Sequence, residues 1–222
     1  MIHFIEEINM RLWILVMVVS FTPWLVQAEL PLGEVPPVIE LSGDKGGRIN
    51  GESWSSSELQ GKVFVLFYAD PDEADLNNDA SEAIKAEDFD KQKYGSVAVI
   101  NMAATWMPNF AIQMKLESKQ KDYPTTTYVK DMEKILVEQW GLADDSNDVL
   151  IFDCEGKVVF SVDGQLNPSQ IEEMLQTIRK NLRKSQDSAA SSFRAATARA
   201  SARSFSGSPA WALTQCQLTW CS

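Results

Sequence analysis

Four acids crowd into one short stretch of this chain, where Asp70, Asp72, Glu73 and Asp75 follow the apolar run ending Phe67-Tyr68-Ala69. Carboxylates at that density can hold a cation or meet a basic partner. They can equally be ordinary acids at a helix start, where the macrodipole favours negative charge, and this is the preferred reading. Asp75-Leu76-Asn77-Asn78-Asp79 opens like a calcium loop, but Ala80 stands where that loop needs glycine and Ala86 where it needs a bidentate glutamate. An EF-hand is therefore excluded.

Sulfur and aromatic groups are the other possible sources of chemistry. Of three cysteines, Cys154 lies in Asp153-Cys154-Glu155-Gly156, and Cys216 and Cys221 lie near the C-terminus. Cys154 can be an accessible thiol, a partner for Cys216 or Cys221, or a residue without a role; no basic or helix-terminal neighbour is evident to activate it. The single histidine is His3, inside a segment expected to be removed, which takes away the commonest acid-base catalyst and metal ligand. No cofactor and no metal is expected. Trp106-Met107-Pro108 follows a strand, where α/β sheets bind their ligands, so this pair can touch a partner; folding back onto the sheet, where tryptophan is usually buried, is the preferred reading.

The elements that must position these residues are legible from periodicity. Lys62 to Tyr68 and Val97 to Met102 are continuous apolar runs, as strands covered on both faces require. The spacing predicts helices over Asp72–Glu87, with Asp72, Glu73 and Asp75 in the first turn, and over Asn109–Lys121. Thr126 to Val129 reads as a third strand, and Glu133 to Trp140 as a short helix or strand. Val149–Phe152 and Val158–Val162 flank a turn with glycine and form a hairpin. Asn167-Pro168-Ser169-Gln170 combines an N-cap, a first-turn proline and a capping-box partner before Ile171, Met174, Leu175, Ile178 and Leu182 on one face. Parallel crossovers first and a hairpin beside the last helix define a single α/β domain with a mixed sheet covered on both faces.

The ends differ from this middle. Leu12 to Phe21 is apolar and leads to Val26-Gln27-Ala28, which reads as a signal peptide cleaved after Ala28, and a start at Met10 would place Arg11 in its basic region. The expected organisation is a signal peptide over 1–28, an irregular lead-in with at most one short hairpin over 29–61, the core over 62–184, and a disordered or artefactual Ser/Ala/Arg-rich tail over 185–222. Export to the periplasm follows, without a stable membrane anchor after cleavage. A net charge of -11 argues against a nucleic-acid partner, which needs clustered Lys and Arg.

Several motifs together resemble a known family. Gly33-Glu34-Val35-Pro36-Pro37, Gly61-Lys62-Val63, Tyr123-Pro124-Thr125 and Asp153-Cys154-Glu155-Gly156-Lys157-Val158 are similar to peroxiredoxin-like and TlpA-like thioredoxin folds. Trp54 to Val63, Leu116-Glu117-Ser118, Gln139-Trp140 and Asp163 to Pro168 narrow the resemblance to the YtfJ family, periplasmic proteins without an established activity. The resemblance implies a thioredoxin-like fold. It also implies where redox members would carry their cysteine pair and cis-proline, and those places hold Asp72, Asp75 and Asn147 here. Dithiol exchange by that route is excluded. The expected function is a binding or interaction module for a periplasmic protein or small ligand, using Asp70, Asp72, Glu73, Asp75, Trp106, Met107 and Asn147. The alternative is a thiol-dependent oxidoreductase or peroxidase relying on Cys154.

Overall fold

The computed structural model describes residues 30–204. The expected signal peptide, Cys216 and Cys221 lie outside them.

Among the described residues, eight strands form two sheets. The larger has six strands, in the order β2 (Gly46–Arg48), β6 (Thr126–Asp131), β5 (Tyr94–Asn101), β4 (Val63–Ala69), β7 (Asn147–Phe152) and β8 (Val158–Val162). At its centre, β4 (Val63–Ala69) runs parallel to β5 (Tyr94–Asn101), and β5 parallel to β6 (Thr126–Asp131). On the other side β7 (Asn147–Phe152) runs antiparallel to β4, and β8 (Val158–Val162) antiparallel to β7, completing the expected hairpin. The smaller ribbon pairs β1 (Glu40–Leu41) with β3 (Trp54–Ser55).

Helices cover both faces. α1 (Asn78–Ala86) follows β4, α2 (Asn109–Asp122) follows β5, and α3 (Ile135–Trp140) follows β6, settling the Glu133–Trp140 stretch as a helix. α4 (Pro168–Ser204) closes the described chain. The strands alternate between two cores, as period-2 geometry demands. Leu66, Tyr68, Val97, Val99, Val129, Leu150 and Phe152 pack with Trp54, Leu136 and Trp140 on one face. On the other, Val63, Val65, Val149 and Ile151 meet α1 and α4, while Ile100 and Tyr128 meet α2.

Three expectations need correction. First, the lead-in does more than form one hairpin: β2 (Gly46–Arg48) pairs antiparallel with β6 and becomes an edge strand of the main sheet. Two glycines permit it. Gly46 and Gly47 have φ of 122° and 127°, and a Cβ at Gly46 would lie 1.9 Å from the Lys130 carbonyl oxygen.

Second, the helix after β4 starts at Asn78, so Asp72, Glu73 and Asp75 precede it in turns instead of occupying its first turn. Successive turn bonds close there, from Glu73 N–H to the Asp70 carbonyl (3.0 Å), Leu76 to Glu73 (3.1 Å) and Asn78 to Asp75 (3.2 Å). Asn77 holds the segment down. Its buried side chain donates to the Asn147 and Gly164 carbonyls and accepts from Leu166 N–H, so it bridges β7 and the loop after β8 and does not cap the helix.

Third, residues 185–204, expected to lack regular structure, continue α4 to Ser204. Alanine recurs through this stretch and neither glycine nor proline interrupts it, so helix propensity carries the element on. The helix start matches expectation: Asn167 Oδ1 accepts from Gln170 N–H and Gln170 Oε1 accepts from Asn167 N–H, a reciprocal capping box.

Candidate functional site at the carboxyl edge of the sheet

Three parallel strands end in polar residues on one face. Continuing the alternation of Leu66-Tyr68, Val97-Val99 and Thr127-Val129 places Asp70, Asn101 and Asp131 side by side beyond the apolar core. Asp148, near the start of antiparallel β7, joins them from the other side. All four side chains are buried. A polar layer at this place is a finding in itself, because open α/β sheets bind ligands beyond the carboxyl ends of their strands.

The four residues are served very differently. Asp131 is fully engaged: its carboxylate accepts from Ile135 N–H and Leu136 N–H, each at 3.0 Å, and from the Tyr68 hydroxyl at 3.3 Å, fixing the start of α3. Burial against this carboxylate drives the Tyr68 hydroxyl well above its ordinary range. Asp148 accepts one bond, from Ala143 N–H at 3.0 Å. Burial, reinforced by the charge of Asp163, pushes it up to about 7. Asp70 is 2% exposed, yet neither carboxylate oxygen has a hydrogen-bond partner. Burial raises it to about 6, the nearby Asn101 amide offsets part of that rise, and the charges of Asp144 and Asp145 add to it.

The loop before β7 supplies those two acids. Asp70, Asp144 and Asp145 bring carboxylate oxygens within 4.8 Å of one another. Asn101 Nδ2 donates to Asp144 at 3.0 Å, and the Lys134 ammonium pairs with the same carboxylate, holding Asp144 below the usual carboxylate range. Asn101 Oδ1 is buried without a partner. Asp145 holds a left-handed backbone conformation with φ of 57°.

The acids singled out in the sequence are thus divided. Asp70 turns into this layer, whereas Asp72 accepts a bond from the Thr105 hydroxyl at 2.9 Å, and Asp75 pairs with Lys119 at 2.9 Å and with Asn78. The Lys119 bond holds Asp75 below the usual carboxylate range. Glu73 is exposed, and its carbonyl accepts from Asn147 Nδ2 at 3.0 Å. Asn147 therefore lies against the segment between Asp72 and Asp75, with its own Oδ1 buried and unpartnered. Asn101, Asp131, Asp144, Asp145 and Asp148 were missed by sequence reasoning. For Asn101 and Asp131 the available signal was a polar residue two positions beyond the last inward apolar residue of the strand; Asp144 and Asp145, in a loop, have no such spacing.

Trp106 did not fold back onto the sheet. It is 91% exposed, while Met107 tucks against the core packed under α2. Thr105 pins the loop at both ends, donating to Asp72 and accepting from Met107 N–H. Phe110 and Met114, four residues apart on α2 and hence on one face, are 70% and 67% exposed. An apolar stripe therefore stands beside the acidic edge.

Cys154 lies elsewhere. It sits half-buried in the turn beyond the far end of β7, and its carbonyl accepts from Gly61 N–H at 2.9 Å. At about 3.3 Å per residue, the length of β7 puts it roughly 20 Å from the carboxyl edge.

The order and pairing of these elements define a thioredoxin-like protein. The thioredoxin domain of a thiol-disulfide oxidoreductase from Bacteroides vulgatus is similar in fold, with a TM-score of 0.50, 17% identity, and 67% of this chain and 97% of that one covered. A protein disulfide isomerase candidate from Bacteroides thetaiotaomicron gives a TM-score of 0.52 at 17% identity, over 69% and 91%. Residues 28–181 match the family described as "Bacterial protein of unknown function (YtfJ_HI0045)", and the chain belongs to that family. Its relatives include the uncharacterized protein YtfJ of Escherichia coli strain K12, 27% identical over 157 residues covering 67% of this chain and 85% of the relative. An uncharacterized protein of Haemophilus influenzae is 28% identical over 131 residues, covering 57% and 71%.

Proposed function

We propose that this protein is a binding module that works in the periplasm and takes a protein partner at the carboxyl edge of its sheet. The observation that carries this reading is the 91% exposure of Trp106, continued by Phe110 and Met114. Exposed tryptophan is costly in water and is enriched where partners dock. The resemblance to redox members favours this use of the edge, since it implies that Asp72 and Asp75 stand where those proteins hold sulfur. Asp72, tied to the Trp106 loop through Thr105, and exposed Glu73 put negative charge beside the stripe. The partner that fits is a short apolar segment with lysine or arginine next to it.

Selection from a displayed library of random peptides tests this. Binders are expected to combine an aromatic or aliphatic residue with a neighbouring basic one, and Trp106→Asp or Phe110→Asp is expected to weaken them at least tenfold. No enrichment, or binders indifferent to both substitutions, would count against the proposal. Thiol chemistry at Cys154 would have to run at the opposite end of the sheet, so Cys154→Ser is expected to leave binding unchanged.

A further inference from the structure

The buried Asp70 carboxylate poses a problem that the docking surface does not solve. A carboxylate taken out of water without hydrogen-bond donors costs several kcal/mol, and the ordinary remedies are a paired cation or a set of N–H groups. Asp131, in the same layer, has its N–H groups. At Asp70 no N–H reaches hydrogen-bond geometry, and one of its oxygens lies within 4.8 Å of an oxygen of Asp144 and one of Asp145. Lys134 is the one cation paired there among the described residues, and it sits on Asp144. The three carboxylates together thus carry more negative charge than the lysine can balance.

We propose that Asp70, Asp144 and Asp145 form a site for a divalent cation of the calcium type. Two observations meet in this assignment: three carboxylates converge, and the one that is 2% exposed has both oxygens unpartnered. Ligand geometry favours the larger ion. Calcium accepts irregular sets of six to eight oxygens, whereas magnesium demands a near-ideal octahedron. Here one strand end and one loop bring three carboxylate oxygens within 4.8 Å of one another, an irregular set of the calcium kind. All ligands are hard oxygens, and the exposed Asp144 and Asp145 leave room for water in the remaining positions.

Asn101 offers a fourth oxygen. Its amide now gives Nδ2 to Asp144 while Oδ1 stays buried and unpartnered. Half a turn about its last side-chain bond presents Oδ1 to the cluster and withdraws the donor that a cation would displace. Lys134 competes for Asp144, so its removal should help the ion.

The site uses none of the residues of the Trp106 stripe, and it can be tested without the proposed partner. The experiment is a titration of the full chain with Ca²⁺ alone, followed by calorimetry and by the thermal midpoint. One equivalent is expected to bind with a Kd of about 0.1–1 mM, the range of extracellular calcium modules. At 10 mM Ca²⁺ the midpoint is expected to rise by about 5 °C. Asp70→Asn is expected to abolish the effect and Asp145→Asn to weaken it at least tenfold; asparagine suits the left-handed backbone at that exposed position, so folding is preserved. Lys134→Gln is expected to tighten binding severalfold, an outcome that a merely structural lysine would not give. Mg²⁺ is expected to bind at least tenfold more weakly. Absence of saturable binding up to 10 mM, or affinity unchanged by Asp70→Asn and Asp145→Asn, would overturn the site. Equal affinity for Mg²⁺ would overturn the choice of ion.

Discussion

Asp148 shows what the polar layer costs the fold. Its carboxyl is buried with one N–H donor, and it titrates near 7 where an unfolded chain would titrate near 4. The folded state therefore binds a proton more tightly than the unfolded state, and the contribution to stability falls as pH rises from about 4 through about 7. Asp148→Asn keeps an oxygen for Ala143 N–H and removes the charge. It is expected to stabilise the protein by about 2 kcal/mol at pH 7.5, with little effect at pH 4, as denaturant unfolding at the two pH values would show. Trp106→Ala is the complementary case. With the side chain 91% exposed, its stability is expected to change by less than about 0.5 kcal/mol while peptide binding is lost. At Gly46 the backbone itself is the constraint: Gly46→Ala is expected to cost about 3 kcal/mol, because its Cβ would meet the Lys130 carbonyl at 1.9 Å.

Among the elements, α4 shows where sequence reasoning succeeds and where it stops. Its capping box was readable because the pattern is local, and Asn167→Ala is expected to cost about 1 kcal/mol in unfolding experiments. Its buried face was readable too, and Met174, Leu175, Ile178 and Leu182 are all buried. Arg179 adds a fork to Glu87 that joins α4 to α1 across the surface. Its far end was not readable, since a run of alanine, serine and arginine without an apolar stripe looks the same as a tail, although it sustains a helix. β2 was hidden for another reason. Gly46-Gly47-Arg48 has no strand propensity, and only its pairing with β6 makes it a strand. The start of α1 was misplaced because Asp72, Glu73 and Asp75 suit a first helical turn by type, yet successive turns hold that segment while Asn77 ties its end to β7 and to the loop after β8.

Over the whole molecule, two sets of carboxyl groups pull stability in opposite directions. Asp75, Glu87 and Asp144 are held low by Lys119, Arg179 and Lys134, so their contribution is present above about pH 4 and is lost as pH falls through their lowered values. Asp70 and Asp148 are held high, so stability is lost as pH rises toward about 6 and about 7. A net charge of -11 adds self-repulsion at the alkaline side. The thermal midpoint without divalent ions is therefore expected to peak near pH 5 and decline toward pH 8. A midpoint flat between pH 5 and 8 would show that the buried acids are relieved in some other way.

The fold as a whole was legible because long buried strands and their crossovers leave a strong pattern. The site was legible only at Asp70, Asn147 and the Trp106 loop. Asn101 and Asp131 carry a local signal, two positions beyond Val99 and Val129, whereas Asp144 reaches them through loop closure, which no local spacing announces. The same register decides between the two ends of the molecule, because Cys154 belongs to one and Trp106 to the other. The direct test places a photoreactive amino acid at position 106 or at position 154 of the protein in its native host, with irradiation of living cells. A discrete protein adduct is expected from position 106, lost with Phe110→Asp, and none from position 154. An adduct from position 154 alone would contradict the assignment of function to the carboxyl edge.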